Sequence, residues 1–205
     1  MTIAGKKSYA IKNCSVIILA AGQSSRLGKP KQLLRYQNKT LLQHVIDTAK
    51  RSLAQSVIVV LGCGIDAILN VTDTTGLYVA KNEDWQSGMA STIRCGITAL
   101  QNEDPTADAA ILMVCDQPFV TAGLLNSLIE KQNETSRPIV ASKYNDTLGT
   151  PALFHERFFP QLTDLKGDTG AKKIMMQNAD LLASVPFLNG GIDIDTLDDY
   201  EALKK

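Results

Sequence analysis

Three apolar runs without internal alternation constrain this chain more than any other feature: residues 15–20 (SVIILA), Ser56–Leu61 (SVIVVL) and Ala109–Val114 (AAILMV). A strand that meets water on one side alternates apolar and polar residues, whereas a strand covered on both sides stays apolar throughout. Stretches with helical spacing separate the runs. Thr40 is an expected N-cap for a helix to Leu53, with Leu41, Leu42, Val45, Ile46, Ala49 and Leu53 on one face. Residues 89–100 read as a helix, and Thr121 caps another to about Asn133. Shorter strands are expected at 77–81 and 139–142. Beyond Gly149 the pattern loosens into a strand at 152–154, helices near 156–161 and 169–177, strands near 182–185 and 192–194, and a last helix from Thr196. Doubly buried strands alternating with helices predict an α/β chain, a Rossmann-like three-layer α/β/α arrangement around a mainly parallel twisted sheet.

Length and charge narrow the function classes. The 205 residues suffice for a sizeable core and read as a single domain over 1–205. With 21 basic and 21 acidic residues the formal net charge is zero, which argues against nucleic acid or a membrane surface as partner, because both select a positive field. No run of 18 apolar residues predicts a membrane span, and residues 1–12 lack the apolar core of a secretory signal. Cys14, Cys63, Cys95 and Cys115 form no Cys-x-x-Cys pair, and His44 and His155 are the only histidines, so no zinc site is readable. The cysteines are expected as small core residues in a reducing cytoplasm, and the histidines as structural.

In a parallel sheet of this kind ligands lie beyond the carboxyl ends of the strands, which directs attention to 21–31, 62–65, 82–91 and 115–118. The first of these is the most informative. Leu19-Ala20-Ala21-Gly22-Gln23-Ser24-Ser25-Arg26-Leu27-Gly28-Lys29-Pro30-Lys31 combines small residues, two glycines and three cations directly after a buried strand. Small residues let backbone N–H groups approach an anion, and Arg26, Lys29 and Lys31 add charge. Five residues separate Gly22 from Gly28, and Pro30 follows Lys29, so the stretch fails the P-loop pattern twice. Asp116, at the end of a buried strand and two residues before Pro118, suits either a divalent cation or a turn. Asp195 suits a metal or the N-cap of the last helix, with Asp193 in reserve and Asp198 and Asp199 in the first turn. Trp85 and Met89 suit either a ligand pocket or the core. The segment Gly62-Cys63-Gly64-Ile65-Asp66-Ala67, with Glu83 and Asp84 further on, matches a loose dinucleotide fingerprint. That makes an NAD-type oxidoreductase the rival from a different class. Its helix is broken at 72–76 and its strand is second in the chain, and both features weaken it.

The loop resembles the L-A-x-G-x-S-x-R-x-G-x-x-K signature of nucleotidylyltransferases with the GT-A-like fold, on Leu19, Ala20, Gly22, Ser24, Arg26, Gly28 and Lys31. Within that superfamily the chain is most similar to the molybdenum cofactor cytidylyltransferases and their MobA-like relatives. Later segments resemble further family motifs in the same order. Asn82 to Met89, with Trp85 and Gly88, is similar to N-x-x-W-x-x-G-M, and Ala90-Ser91 follows in place of a common Ser-Ser pair. Cys115-Asp116-Gln117-Pro118, Gly149-Thr150-Pro151, Gly167-Asp168-Thr169-Gly170-Ala171 and Asp193-Ile194-Asp195-Thr196 follow. Thr150 stands where many relatives carry His, which bears on the acceptor, and Leu197 stands where they carry Pro.

The resemblance implies transfer of CMP from CTP to the terminal phosphate of a molybdopterin-type acceptor, with release of pyrophosphate. Its alternatives use GTP, or a sugar or polyol phosphate acceptor. It implies Arg26, Lys31 and Asp116 as catalytic residues and Mg²⁺ as cofactor, held by Asp116 and Asp195. Nucleotide binding would fall to Leu19, Ala20, Ala21, Gly22, Arg26, Lys31, Gly62, Asn82, Gly88 and Ser91. The acceptor would lie over roughly 140–190, and the product would pass by transient contact to a molybdoenzyme or its chaperone.

Overall fold

The computed structural model describes residues 11–24 and 27–203. Seven strands form one sheet in the order β5-β4-β1-β6-β8-β7-β9. They are β1 (Cys14–Ala20), β4 (Ser56–Leu61), β5 (Tyr78–Lys81), β6 (Ala109–Val114), β7 (Ile139–Tyr144), β8 (Thr147–His155) and β9 (Leu182–Pro186). β2 (Arg35–Tyr36) and β3 (Lys39–Thr40) make a separate small hairpin. β1 lies between β4 and β6, parallel to both, and every one of its residues is buried, as an apolar run without alternation requires.

Both faces are covered. Val16 and Ile18 on one face pack with Leu42, Val45 and Ile46 of α1 (Leu41–Lys50) and with Leu125 and Leu128 of α4 (Ala122–Thr135). Ile17 and Leu19 on the other pack with Ile93 and Ile97 of α3 (Met89–Glu103) and with Leu162 of α5 (Phe159–Thr163). Burying one such side chain stabilises the fold by about 1.5–3 kcal/mol, so the two layers are what the apolar runs are for. Thr40 and Thr121 cap α1 and α4, their hydroxyls accepting from the backbone of Gln43 and Leu124. α2 (Ile65–Leu69), α6 (Lys172–Gln177) and α7 (Leu197–Leu203) complete the helices.

Four sequence expectations are corrected. α1 stops at Lys50, so Leu53 never joins its buried face; it is exposed, and its N–H donates to Asn126 Oδ1 instead. The strand expected at 152–154 is the last third of β8, which runs antiparallel to both neighbours. Asn145 and Asp146, both at positive φ, turn the chain back from β7 into β8. The strand expected at 192–194 is irregular, although Ile194 is buried and its N–H donates to the Asp116 carbonyl. The helix expected from Thr169 begins only at Lys172. Of the cysteines, Cys14 and Cys115 are core residues, Cys63 and Cys95 are half-buried, and all four are free thiols.

Candidate active site

β1 delivers the small-residue loop to the carboxyl edge of the sheet, and a buried glutamine holds it there. Gln32 Nε2 donates to the carbonyls of Ala20 (2.6 Å) and Gly22 (3.1 Å). The Ser24 hydroxyl accepts from the Lys31 backbone N–H at 3.1 Å, closing the loop on itself. Leu27 within the loop and Leu34 just after it are buried with Leu41, Ile194 and Tyr200 in a third apolar cluster. The Tyr200 hydroxyl accepts from the Arg35 N–H (3.1 Å) and donates to the Arg35 carbonyl (2.9 Å). The turn carrying Lys31 is therefore tied to the segment carrying Asp195, although 164 positions separate them. Arg26, expected as a catalytic and nucleotide-binding residue, lies outside the described residues.

The Lys31 ammonium joins two carboxylates, Asp116 Oδ2 at 2.7 Å and Asp195 Oδ1 at 3.0 Å. Burial pulls the Lys31 ammonium down, but the charge of Asp116 and the hydrogen bonds to Asp116 and Asp195 outweigh it, so its pKa is raised. Asp195 does not cap α7. That role falls to Thr196 and Asp199, whose side chains accept from each other's backbone N–H. Asp193 stands near the same carboxylates. Burial, then the charge of Asp116, pushes its carboxyl up to about 6.

Among the described residues no three His, Cys, Asp or Glu side chains form a preformed metal cage. Two carboxylates still suit Mg²⁺, which keeps several waters and is commonly completed by substrate phosphates. One atom supports the fit: Asp116 Oδ1 is buried and has no hydrogen-bond partner among the described residues. An ionised oxygen in that state is costly, and a divalent cation would satisfy it.

A cleft of about 390 Å³ opens over these groups, lined by Leu19, Ala20, Gly22, Lys31, Asp116 and Asp195 among others. It brings together Leu19, Ala20, Gly22 and Lys31 of the loop and both metal-ligand candidates. Ala21, Gly62, Asn82, Gly88 and Ser91 do not line it. The Ala21 carbonyl accepts from the Cys63 N–H. A Cβ on Gly62 would lie 2.7 Å from the Trp85 Cβ, so this glycine serves close packing against Trp85. Asn82 and Ser91 are buried and bonded internally: Asn82 Nδ2 donates to Ser91 Oγ (2.9 Å) and Thr92 Oγ1 (3.2 Å), Asn82 Oδ1 accepts from the Asp84 N–H (3.0 Å), and Ser91 Oγ donates to the Gly88 carbonyl (2.8 Å). Gly88, at φ 94°, packs against Gly167 and Asp168, where a Cβ would meet the Gly167 carbonyl at 2.7 Å.

Sequence reasoning assigned no role to Gln32, Gln117 or Asp168. The Asp168 carboxylate lines the cleft and accepts from the Met89 N–H at the start of α3. Gln117 is buried, donates to the Gly190 carbonyl (3.0 Å) and accepts from the Thr150 hydroxyl (3.2 Å). Both residues sit inside quoted motifs, so the signal existed but their partners did not. Gln32 directly follows Lys31, and nothing in its identity announces a buried bond to a loop carbonyl.

The raised Asp193 carboxyl predicts a pH dependence. In the folded chain Asp193 holds its proton to about pH 6, and in the unfolded chain only to its ordinary value of 3.8. Its ionisation therefore costs stability as pH rises through that window, and the cost is complete above it. Asp193 is about half-exposed, so solvent screening reduces the cost to about 1 kcal/mol. Asp193→Asn is expected to raise the melting temperature by about 2–4 °C at pH 8 in EDTA and hardly at all at pH 4. A lower melting temperature at pH 8 refutes this account of the cluster.

A loop of small residues that ends in a lysine, set against strand-end carboxylates, is built to handle a nucleoside triphosphate, and the class so defined is nucleotidyltransferase. The chain belongs to the family described as MobA-like NTP transferase domain, which it matches over residues 16–181. The crystal structure of Rv0371c from Mycobacterium tuberculosis H37Rv is similar to it with a TM-score of 0.83 and 32% identity, over 94% of this chain and 97% of that one. A complex of Rv0371c with manganese gives a TM-score of 0.79 at 29% identity, over 94% and 98%. The nicotine blue oxidoreductase of Paenarthrobacter nicotinovorans is 27% identical over 195 residues, 89% of this chain and 92% of that protein. The molybdenum cofactor cytidylyltransferase of Escherichia coli K12 is 22% identical over 189 residues, 92% of this chain and 94% of that protein. No helix among the described residues is long and apolar enough to cross a membrane.

Proposed function

We propose that the protein transfers CMP from CTP to the terminal phosphate of a molybdopterin-type acceptor and releases pyrophosphate. The observation that carries this reading is the Lys31–Asp116–Asp195 constellation at the mouth of the loop. A phosphate monoester loses its second proton near pH 6 and is already an anionic nucleophile at neutral pH, so no general base is required. The histidines are consistent with that. His44 Nε2 bonds the Pro118 carbonyl and His155 Nδ1 accepts from the Arg157 N–H, both away from the cleft. An acceptor oxygen attacks the α-phosphorus, the bond to the β-phosphate oxygen breaks, and pyrophosphate leaves with the electron pair. Lys31 and Arg26 neutralise the charge that builds on the departing group. Asp116 and Asp195 would hold Mg²⁺, which would supply charge neutralisation for the triphosphate. Beside the cleft a largely apolar pocket of about 230 Å³, lined by Leu112, Val114, Tyr144, Leu148, Thr150 and Met175, supports an acceptor side within 140–190. A reducing cytoplasm, and transfer of the product to a molybdoenzyme or its chaperone, belong to the same proposal.

The Leu19-Ala20-Ala21-Gly22 form favours CTP, since the family's guanylyl members more often carry a second glycine at the position of Ala21. CTP with Mg²⁺ is expected to raise the melting temperature more than GTP with Mg²⁺ does. A ligand at a hundred times its Kd stabilises by about 2.7 kcal/mol. An equal or larger shift with GTP removes the cytidylyl assignment and keeps the fold.

The Paenarthrobacter relative is named an oxidoreductase, and together with the dinucleotide-like segment Gly62 to Ala67 that name favours a second reading, an NAD-type oxidoreductase. The 62–65 loop does not support it. Gly62 is packed against Trp85, and the helix that follows has five residues. The same melting series with NAD⁺ and NADH separates the two readings, because only the second predicts a shift without CTP or Mg²⁺.

A further inference from the structure

The lysine that would meet the triphosphate is bonded to the two carboxylates that would hold the metal. Lys31 Nζ lies within 3.0 Å of both, and its side chain and that of Asp116 are only 15% and 19% exposed. A monocation and a dication cannot both neutralise the same pair of carboxylates at this range without strong mutual repulsion. The backbone around Lys31 is fixed: its N–H is held by Ser24, and the next residue, Gln32, is anchored to two carbonyls. Any exchange must therefore be a swing of the Lys31 side chain about its four bonds. Asp116 Oδ1, buried and without a partner among the described residues, is left ready for a second cation.

We propose that Lys31 is a placeholder cation. With no triphosphate bound it neutralises Asp116 and Asp195 and so keeps divalent metal from binding alone. The polyanionic triphosphate draws its ammonium away, and nucleotide and metal enter together. The inference rests on the triphosphate reading above and adds an order to it. A protein that loads metal only with nucleotide does not hold a bare cation against its carboxylates between turnovers.

The test is a titration of Mn²⁺ followed by the electron paramagnetic resonance of the free ion. Wild type, Lys31→Met and Lys31→Met/Asp116→Asn are each titrated without and with CTP. Lys31→Met keeps the apolar stem of the side chain and removes the charge. Lys31→Gln serves as a second variant, and melts in EDTA verify that each protein is folded. Without CTP, Lys31→Met is expected to bind Mn²⁺ at least about tenfold more tightly than wild type, and the double variant is expected to lose that gain. CTP is expected to tighten Mn²⁺ binding to wild type by about tenfold or more, and to Lys31→Met by clearly less. Equal Mn²⁺ affinity of wild type and Lys31→Met without CTP overturns the proposal. If CTP still tightens binding in that case, the nucleotidyltransferase reading stands. A gain in Lys31→Met with no effect of CTP on either protein overturns the nucleotide-triggered release, and the triphosphate reading falls with it.

Discussion

Asp116→Asn is expected to lower pyrophosphate release by about 10²–10³, the range lost when one preorganised electrostatic contact to a transition state is removed. The melting temperature of the ligand-free protein should move by only a few degrees. Asn keeps the size of the side chain and its place at the end of β6, so no cavity opens. What changes is charge. The buried Oδ1, unpartnered among the described residues, loses its anionic character, and a neutral amide is a much poorer ligand for a hard dication. Two stability effects oppose each other. Lys31 loses one of its two carboxylates but keeps Asp195, so its ammonium is not left uncompensated. Asp193, whose proton affinity is raised by burial and then by the charge of Asp116, is relieved of that repulsion. A coupled pyrophosphate assay across a Mg²⁺ titration, beside a melt in EDTA, reads both outcomes. An active variant with unchanged Mg²⁺ dependence would show that Asp116 is a turn residue, and the metal role would go with it.

The sequence was most legible where one physical cause acted alone. β1, β4 and β6 fall almost on their apolar runs because burial on both faces leaves no choice of residue type. It was least legible where two causes met in one segment. β8 carries Gly149, Thr150 and Pro151, which read as a loop. The register with β7 jumps from Ala141–Ala152 to Ser142–Gly149, so Thr150 and Pro151 bulge out of the ladder where a missing N–H costs nothing. Residues 192–194 alternate like a strand, but Ile194 makes one backbone bond to Asp116 and spends its side chain on Leu27, Leu34 and Tyr200. That packing sets Asp195 beside Lys31, and no local pattern encodes it. At the site the charged residues announced themselves, because a lysine or a carboxylate at a strand end has few structural uses. Asn82 and Ser91 announced themselves as strongly through the family motif, yet here their polar groups are taken up inside the protein, by each other and by Asp84, Gly88 and Thr92. Motif membership alone did not distinguish a side chain that faces the cleft from one that supports the loop behind it.

Lys31→Ala is expected to lower turnover by about 10²–10³, with most of the loss in kcat, because the charge on the departing pyrophosphate is greatest in the transition state. The stability effect is smaller and has a distinctive signature. Truncation leaves Asp116, Asp193 and Asp195 facing one another without the ammonium that joins two of them. Losing one partner of a fully buried pair costs about 3–5 kcal/mol. Here Asp195 is 38% exposed, which lets water take up part of the charge and brings the cost to about 1–2 kcal/mol, or roughly 3–6 °C. Mg²⁺ or Mn²⁺ should restore the melting temperature of the variant, since a dication can take the place of the ammonium between the carboxylates. Neither metal should restore turnover, since the lysine's second task, on the leaving group, has no substitute. Lys31→Arg keeps the charge but places a planar fork where a single nitrogen serves both carboxylates, so partial recovery is expected. Near-wild-type turnover in Lys31→Ala would move the phosphate role to Lys29 or remove it from the loop. A melting temperature indifferent to metal would show that the three carboxylates do not form one electrostatic unit.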